Sequence, residues 1–551
     1  MSRPSFRKLR RTSVLIPTAV ALVGLLAQSP ALADRDPAPP PRPVPLLAGN
    51  LLVSGSVYQN DPNIVAGVTE LPPGCVATTC TAIAGGTYPY VFNNDTIDGS
   101  FGVTSKVMLA ELTPSGHFLG SLQVPNSSEP DAEHGDGQMV TSFSSKSEMA
   151  LNLSTDGRYV TFMGYDAPVG AVDVSNSNTP GVIDPTNPVT GAYYRVVAQL
   201  GQDGRFHFTE TNAYSGNNGR AATLNDTRGA DLIYTAGNAG NGSNPQPPGV
   251  VLGAGAQGIQ PSNRPESAQN PGQPTPVGSF NVTQLGDKAD KVGKDDNFRG
   301  MTISHNVLYY TKGSGSNGVN TVYFVDPTGQ ACPSGVGLPV PGAPLPTATL
   351  TLDATTGLTP SNMCVLKGFP TTLAKSSTDS FPFGLWFANP DTLYVADEGG
   401  GTTTFDPATG QYTAAAASIT AGLQKWVFNH GLGSWQLAYT LQSGLDLGQP
   451  YTVAGYPIGD NPVTALPWAP AADGLRNLTG RVNRDGTVTV WAITSTVSGS
   501  GDQGADPNKL VSIIDRLPAT TLPAAERFQT VQAAVSGSVL RGVSFTPGTA
   551  P

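Results

Sequence analysis

One strand pattern recurs six times along this chain, and its sixth copy lies at the C-terminus with no partner strand after it. Each copy opens on a small or glycine-containing step and continues into a short apolar run. The copies are EMALNL (148–153), RAATL (220–224), RGMTIS (299–304), FGLWFA (383–388), RNLTGRV (476–482) and RGVSFTP (541–547). A repeated unit of this kind indicates an array of similar supersecondary modules rather than one thick core.

A second strand follows each of the first five copies. These strands are RYVTFMGYD (158–166), DLIYTAGN (231–238), VLYYTKG (307–313), TLYVADEG (392–399) and TVTVWAIT (487–494). Helix signals are nearly absent, and Asp-Gly turns such as those at 156–157 and 485–486 separate β-branched runs, which is the pattern of an all-β protein. We therefore predict an all-β fold in which each pair forms the inner two strands of one β-propeller blade.

The missing partner of the C-terminal copy lies at the other end of the chain. LLVSGSVY (51–58) has the character of a second strand, and KVMLAELTPSG (106–116) and HFLGSLQVP (117–125) would complete its blade. An open ring would expose an unpaired sheet edge, and pairing the two chain ends removes that edge. We predict six blades closed in this way. Seven blades stay an alternative, because the stretches 60–104 and 240–295 are long enough to contain further strands.

The segment FPFGLWFANPDTLYVADEG (381–399) resembles the blade signature of NHL and SMP-30-type propellers. The chain is also similar to secreted bacterial propeller proteins without an assigned activity. NHL-like propellers include lactonases, lyases and binding modules, so the resemblance implies the fold and leaves the activity open. In SMP-30-like lactonases, a Glu and several Asn or Asp residues near the first strands bind the metal. Here only Glu148 matches in type, and arginines occupy positions where Asn or Asp would be needed.

The N-terminal residues have the pattern of an export signal. Five basic residues precede an apolar run from Val14 to Ala27, and Ala31-Leu32-Ala33 forms a cleavage motif before Asp34. We expect a signal peptide over residues 1–33, a proline-rich linker over 34–49 and the propeller domain over 50–551. Whether Arg10-Arg11 belongs to a twin-arginine signal stays open. No later apolar stretch would anchor the chain, so we expect a secreted or periplasmic protein.

The net charge bears on which class of partner the protein can bind, and the cysteines bear on the cellular compartment in which it folds. The formal charge is −10, which argues against a nucleic-acid partner, since phosphate binding needs a basic surface. The four cysteines fit an oxidising compartment and predict two disulfides, Cys75 with Cys80 and Cys332 with Cys364. A metal site is the alternative for these cysteines, but no C-x-x-C motif occurs and the five histidines are scattered, which favours the disulfides.

Arginine is concentrated at one repeated position. The residues that open the six first strands are Glu148, Arg220, Arg299, Phe383, Arg476 and Arg541. Arginine suits a bidentate grip on carboxylate or phosphate, so a ring of arginines would bind an anionic or polyhydroxylated ligand, with Lys312 and Tyr165 contributing from the ends of second strands. The alternative is that each arginine joins neighbouring blades, because a repeated residue first suggests a repeated structural role.

Carboxylates supply the candidates for catalysis and for metal binding. Asp397 and Glu398, at the end of a second strand, could act with Glu148 as a paired-carboxylate site for proton transfer or as a calcium site. The alternative for Asp397 is that it is a turn residue that caps its own loop. A second calcium candidate is Asp502, Asp506 and Asn508, because oxygen ligands are dense in that loop.

Two functional hypotheses follow from these residues. The first is an extracellular hydrolase or lyase acting on an anionic glycan, lactone or ester at the mouth of the central channel. The second is a non-catalytic binding or scaffold propeller, in which the arginines serve the fold. The sequence contains no recognisable catalytic triad or complete metal-ligand set, and it does not identify a small-molecule or glycan ligand.

Overall fold

The computed structural model describes the chain from residue 45 to residue 550, with several internal gaps. The described ranges are 45–75, 79–128, 138–143, 149–175, 191, 193–211, 213–214, 217–227, 231–238, 255–261, 277–282, 297–314, 318–346, 361–374, 380–500 and 504–550. Strands dominate these ranges; the two helical elements are a 3-10 helix, Tyr90–Thr96, and a four-residue α-helix, α1 (Thr413–Ala416). Within the same ranges, no helix is long and apolar enough to cross a membrane.

The strands form six blades of four strands each, with additional short strands at the blade edges. Three strands of blade 1 and a short extra strand come first: β1 (Leu51–Val57), β2 (Thr104–Leu112), β3 (Phe118–Gln123) and β4 (Thr141–Ser142). Blade 2 consists of β5 (Asn152–Leu153), β6 (Tyr159–Tyr165), β7 (Arg195–Gly201) and β8 (Phe206–Thr211). Blade 3 consists of β9 (Gly219–Asn225), β10 (Leu232–Gly237), β11 (Ala256–Ile259) and β12 (Val277–Val282).

The remaining blades follow in chain order. Blade 4 contains β13 (Phe298–Ser304), β14 (Val307–Lys312), β15 (Thr321–Val325), the short β16 (Val336–Gly337) and β17 (Ser361–Leu366). Blade 5 contains β18 (Pro382–Asn389), β19 (Thr392–Asp397), the inserted hairpin β20 (Phe405–Asp406) and β21 (Gln411–Tyr412), β22 (Gly422–Asn429) and β23 (Ser434–Leu441). Blade 6 contains β24 (Ala471–Val482), β25 (Thr487–Val497), β26 (Lys509–Arg516) and β27 (Gln529–Ala533), and β28 (Ser538–Phe545) ends the described strands.

The ring closes by pairing the C-terminal strand with the N-terminal one, as predicted. β28 runs antiparallel to β1, from Leu51 opposite Phe545 to Val57 opposite Ser538. β28 therefore supplies the innermost strand of blade 1, while β1, β2 and β3 supply the other three. This pairing confirms the predicted closure and the six-bladed fold.

The two long stretches that could have contained a seventh blade have other roles. The described residues of 60–103 contain the 3-10 helix and isolated bridges, such as Asp61 with Gly86 and Glu70 with Thr81, and they form no four-stranded sheet. In the stretch 240–295, β11 and β12 complete blade 3. β12 also pairs in parallel with β17, so the outer edges of blades 3 and 4 join in one sheet. No pattern in the sequence indicates this edge pairing.

The small step in the repeated strand marks where neighbouring innermost strands approach each other. A Cβ atom at Gly300 would lie 2.2 Å from the carbonyl oxygen of Phe383, and one at Gly384 would lie 2.6 Å from that of Arg476. A Cβ atom at Gly542 would lie 2.4 Å from the carbonyl oxygen of Met149. Contacts this short exclude any side chain, so glycine is required by the convergence of the blades.

Both predicted disulfides are present. Cys75 and Cys80 close a short loop before the 3-10 helix, with 6.2 Å between their Cα atoms. Cys332 is bonded to Cys364 on β17, with 5.9 Å between their Cα atoms. The second bond therefore ties the loop after β15 to the outer part of blade 4.

Replacing Gly542 with valine should disrupt the contact between the innermost strand of blade 1 and the start of blade 2. The added side chain would overlap the backbone at Met149 and Leu151, so we expect Gly542→Val to lower the free energy of unfolding by about 3 kcal/mol or to prevent folding. Gly120→Val is the control, because no atom lies within 4 Å of the corresponding Cβ position on β3. Equal urea midpoints for the two variants would contradict the role assigned to the repeated glycine.

Candidate functional site

Two of the repeated arginines bind one carboxylate from the blade between them. Arg299 Nη2 lies 3.3 Å from Glu398 Oε1, and Arg476 Nε lies 3.1 Å from Glu398 Oε2. We call these three residues the Arg–Glu–Arg cluster. All three side chains are buried. Because the residues belong to blades 4, 5 and 6, the cluster joins three successive blades through charge.

Phe383 occupies the equivalent position in blade 5 and lies between the two arginines. The guanidinium carbons of Arg299 and Arg476 lie 5.9 Å and 5.7 Å from the centre of its ring. Cations at this distance from an aromatic face are attracted to it. Among the repeated positions of blades 3 to 6, Phe383 is the one that is not arginine, and its ring attracts the two neighbouring guanidinium groups.

A β-bulge explains why these side chains occupy matching places. In β13 the pairing with β14 skips Arg299 and Gly300, and in β24 the pairing with β25 skips Arg476 and Asn477. Similar shifts occur at Arg220, Phe383 and Arg541. A bulge leaves a residue out of the ladder and changes the direction of its side chain. Each of these repeated positions therefore lies in a β-bulge, and the bulge turns the side chain out of the direction that it would have in a regular strand.

The other two arginines bind polar groups close to them. Arg220 donates from Nη1 to the carbonyl oxygen of Phe298, 2.9 Å away, and to the side chain of Asn297, which links blades 3 and 4. Arg541 donates from Nε to Ser56 Oγ at 3.1 Å, within blade 1, and lies over the ring of Phe143. Both side chains are buried. These contacts match the inter-blade alternative at Arg220, Arg299 and Arg476, while these two contacts of Arg541 lie within blade 1.

Two further buried carboxyls lie beside the Arg–Glu–Arg cluster. Asp397 accepts hydrogen bonds from the backbone N–H groups of Phe381 and Gly399, at 2.9 Å and 3.1 Å, and from Gln424. Asp473, on β24, accepts one from the N–H of Gly401 at 2.7 Å. Burial raises the pKa of Asp397 to about 6 and that of Asp473 to about 7, and the Glu398 charge adds to both increases. Both groups can therefore exchange protons near neutral pH.

No pattern in the sequence marks Asp473. It precedes Arg476 by three residues in an innermost strand and carries no motif. The structure brings it to Gly399, where a Cβ atom would lie 2.5 Å from the Asp473 carboxyl carbon. Gly399 also has a φ of +80°, so two conditions require glycine there. The DEGGG sequence (397–401) was the available signal, because consecutive glycines permit a close backbone approach.

Lys312 and Tyr165 are buried in contacts of their own. Lys312 Nζ donates to the carbonyl oxygen of Ser314 at 2.9 Å and to Asn320 Oδ1 at 3.2 Å. The ring of Tyr165 faces the guanidinium of Arg195 at 5.1 Å. Neither residue is joined to the Arg–Glu–Arg cluster by a contact described in this structure. Glu148 lies outside the described residues, and its predicted catalytic role stays a prediction.

The predicted calcium loop is only partly described. Asp506 accepts hydrogen bonds from the hydroxyls of Tyr456 at 2.6 Å and Thr496 at 3.3 Å. Asn508 donates to the carbonyl oxygens of Thr494 and Leu540, and its own oxygen accepts from the Leu540 N–H at 2.8 Å. Asn508 therefore joins blade 6 to β28. Asp502 lies outside the described residues, so calcium binding by this set stays a prediction.

A second buried charge network joins blades 5 and 6 and has no sequence signature. Lys425 Nζ on β22 lies 2.9 Å from Asp515 Oδ2 on β26 and also donates to Tyr439 and to the carbonyl oxygen of Arg516. Tyr394 and Tyr439 donate to the same carboxylate. Lys425 and Asp515 are fully buried. Each polar group thus has partners, which is what a buried ion pair requires.

Comparison with known proteins gives no family for the chain. No protein-family model matches it, and no curated protein matches it. Among solved structures, the acylaminoacyl peptidase of Pyrococcus horikoshii is 7% identical, with a TM-score of 0.24 over 78% of this chain and 41% of that chain. A mutant of the apocarotenoid oxygenase of Synechocystis is 10% identical, with a TM-score of 0.21 over 81% and 59%. Domains 1–2 of Drosophila Semaphorin 1a are 11% identical, with a TM-score of 0.25 over 75% and 83%.

These TM-scores are too low for the neighbours to support any statement about this chain. The six-bladed fold rests instead on the strand order and pairing of the chain itself. The likeness to NHL and SMP-30-type propellers stays a prediction.

The stability of the protein should depend on pH through Asp473. Its ordinary pKa of 3.8 is raised to about 7 in the folded chain, so between these values the folded state holds a proton that the unfolded state releases. This carboxyl therefore contributes stability that is full below about pH 4 and is lost as the pH rises through about 7. We expect Asp473→Asn to flatten that fall in urea titrations across this range. The exposed Asp460→Asn is the control and should leave the profile unchanged.

Removing one member of the Lys425 pair should be costly. Lys425→Met would leave the Asp515 charge buried without its cation, and we expect the free energy of unfolding to fall by about 3–5 kcal/mol. The double variant Lys425→Met/Asp515→Leu removes both charges and should recover much of that loss. Thermal and urea unfolding measure both effects, and a double variant less stable than the single one would contradict this prediction.

Proposed function

We propose that this protein is an exported β-propeller that binds an anionic or polyhydroxylated extracellular ligand at the Arg–Glu–Arg cluster. The main support for this proposal is the hydrogen bonding of the Arg476 guanidinium. Its Nε binds Glu398, whereas its Nη2 has no hydrogen-bond partner among the described residues. A buried N–H group without an acceptor is costly, and a ligand oxygen would satisfy it.

The charge of the cluster supports the same ligand class. Two guanidinium groups face one glutamate, so the three side chains carry a net positive charge within an acidic protein. Below about pH 6, Asp397 and Asp473 are mostly protonated and do not oppose this charge. Above about pH 7 both ionise and reverse it. Binding of an anion should therefore be stronger in mildly acidic solution.

A hydrolase or lyase is the second candidate function, and the two protonatable carboxyls favour it. A general acid or base works best when its pKa lies near the working pH, and Asp397 and Asp473 have pKa values of about 6 and about 7. Glu398 is held by two arginines and would serve to position them. Glu148 would complete the catalytic set proposed from the sequence. Glycosidic, lactone and ester substrates would each accept a proton from such a group.

A non-catalytic scaffold is the third candidate. The bonds of Arg220, Arg299 and Arg476 to adjacent blades favour it, because these residues then serve the fold. The three candidates predict different results for a single substitution at Arg476. If Arg476 binds a ligand, the substitution should lower the affinity for that ligand. If the protein is an enzyme, the substitution should lower turnover, and if it is a scaffold, the substitution should lower stability alone.

The experiment uses polygalacturonate as an acidic polysaccharide and dextran as a neutral one. We expect the wild-type chain to bind polygalacturonate more tightly at pH 5 than at pH 8, and Arg476→Gln to weaken binding roughly tenfold, since about 1.4 kcal/mol of charge-assisted bonding is lost. Arg481→Gln is the matched control, because Arg481 is an exposed residue of the same strand. Affinity is measured by calorimetry and chain shortening by reducing-end release.

The outcomes separate the candidates. If the Arg476→Gln protein folds and binds polygalacturonate as tightly as the wild type does, the ligand-binding proposal is contradicted for this probe. Reducing-end release that is abolished in Asp473→Asn would favour the enzyme. A destabilised Arg476→Gln protein, together with a wild type that binds neither polysaccharide, would favour the scaffold.

A further inference from the structure

A second group of buried carboxylates lies far from the Arg–Glu–Arg cluster in the chain, between blades 1 and 2. It consists of Asp98, in the turn after the 3-10 helix, and Asp173, in the loop after β6. Both are buried, with exposed fractions of 7% and 2%. Neither residue was selected from the sequence, because single aspartates in loops are common.

A bridge in the backbone brings the two loops together. Val103 pairs with Val172, and the N–H of Asp173 donates to the carbonyl oxygen of Gly102 at 3.0 Å. The turn that carries Asp98 ends one residue earlier, where the Phe101 N–H donates to the Asp98 carbonyl oxygen at 2.9 Å. The apolar side chains of Val91, Phe92, Phe101 and Val103 pack beneath these loops as one hydrophobic cluster.

Neither carboxylate oxygen of Asp173 accepts a well-formed hydrogen bond from the described residues, although the backbone N–H of Gly102 is close enough to stabilise the carboxylate charge. One oxygen of Asp98 accepts hydrogen bonds from the N–H and hydroxyl of Ser100, at 3.0 Å and 2.7 Å, while its other oxygen also lacks a donor in that part of the chain. The Asp173 carboxyl is within hydrogen-bonding reach of Asp98, and Asp95 lies close enough to act on it as well. The two carboxyl groups therefore face each other, with no well-aligned hydrogen-bond donor between them among the described residues.

This arrangement is unfavourable unless a cation or a shared proton lies between the two carboxyl groups. Burying one unpaired carboxylate is costly, and placing a second beside it adds repulsion. A third carboxylate in the same region also has an oxygen that accepts no hydrogen bond from the described residues: Oδ2 of Asp61, which would lie 3.4 Å from a Cβ atom at Gly170. Asp61 is also buried.

We propose that Asp98 and Asp173 hold a calcium ion that joins the segment leading into β2 to the loop leaving β6. Calcium takes six to eight oxygen ligands in flexible geometry, and irregular loops can add backbone carbonyl oxygens and water to the two carboxylates. The two aspartates provide no nitrogen or sulfur ligand, which zinc would favour. Magnesium requires a near-octahedral shell and gives up its water reluctantly, so it fits a buried pair of carboxylates less well.

The site would stabilise the seam between blades 1 and 2. Residues 98–103 lead directly into β2 of blade 1, and Asp173 follows β6 of blade 2. A shared ion would therefore act across this seam as Glu398 acts between blades 4 and 6. The inference is independent of the proposed function, because it involves none of the residues of the Arg–Glu–Arg cluster.

The test measures metal content and thermal stability of the full chain. The protein is stripped with EDTA, dialysed, and then loaded with calcium or magnesium chloride. We expect calcium, at about 100 times its Kd, to raise Tm by a few degrees and magnesium to raise it much less. Asp173→Asn should weaken calcium affinity at least about tenfold, because it removes a charged ligand. Calorimetry gives the affinity, and elemental analysis gives the calcium bound per chain.

Three further variants test whether the ion lies between Asp98 and Asp173. Asp203→Asn changes an exposed aspartate in a hairpin turn and should keep calcium binding. Asp506→Asn alters the calcium loop predicted from the sequence, and it should retain the ion assigned to Asp98 and Asp173. Asp98→Asn removes the other proposed ligand and replaces Asp173→Asn in the test if that variant does not fold.

Several results would overturn the inference. A wild-type Tm that calcium and EDTA leave unchanged, with no calcium bound, would show that no cation is held. Equal calcium affinity in the wild type and in both asparagine variants would show that these two carboxylates do not hold the ion. Loss of calcium in Asp506→Asn but not in Asp173→Asn would place the ion in the other loop.

Discussion

The fold depends on the antiparallel pairing of β28 with β1. A ring of six blades has no hydrophobic core at its centre that could hold it together if the ends were separate, so the seam between the first and last strands must be hydrogen-bonded. The pairing extends from Leu51 opposite Phe545 to Val57 opposite Ser538. Once the ring is closed, the innermost strands converge, and this convergence explains both the glycines of the repeat and the bulges beside them.

Buried charge at the seams between blades is a second consequence of this closure. Glu398 joins Arg299 and Arg476 across blades 4 to 6, while Lys425 and Asp515 join blades 5 and 6 farther from the axis. Such groups add stability only when every partner is present, since removal of one leaves a charge buried alone. The proposed calcium site between blades 1 and 2 would apply the same principle with a metal ion. The contacts between blades and the proposed ligand site are therefore both built from buried charged side chains.

Much of the architecture could be predicted from the sequence, and the candidate site could be predicted only in part. Arg299, Arg476 and Glu398 were selected because they end or begin repeated strands, and the structure brings these three together. Lys312 and Tyr165 were selected by the same argument, yet they have other partners, because the end of a strand does not fix where a long side chain points. Asp473, Lys425 and Asp515 were missed, since their importance comes from contacts between residues more than 70 positions apart.

By itself the sequence determined the strand repeat, the number of inner pairs, the closure of the ring and the two disulfides. These features follow from local patterning: alternation, turn residues and the spacing of cysteines are each visible within short segments. Only the tertiary structure decided which charges meet, that blades 3 and 4 share an edge, and that Asp98 faces Asp173. The physical reason is that burial and pairing of charges depend on how separate blades approach each other, and no local pattern records that distance.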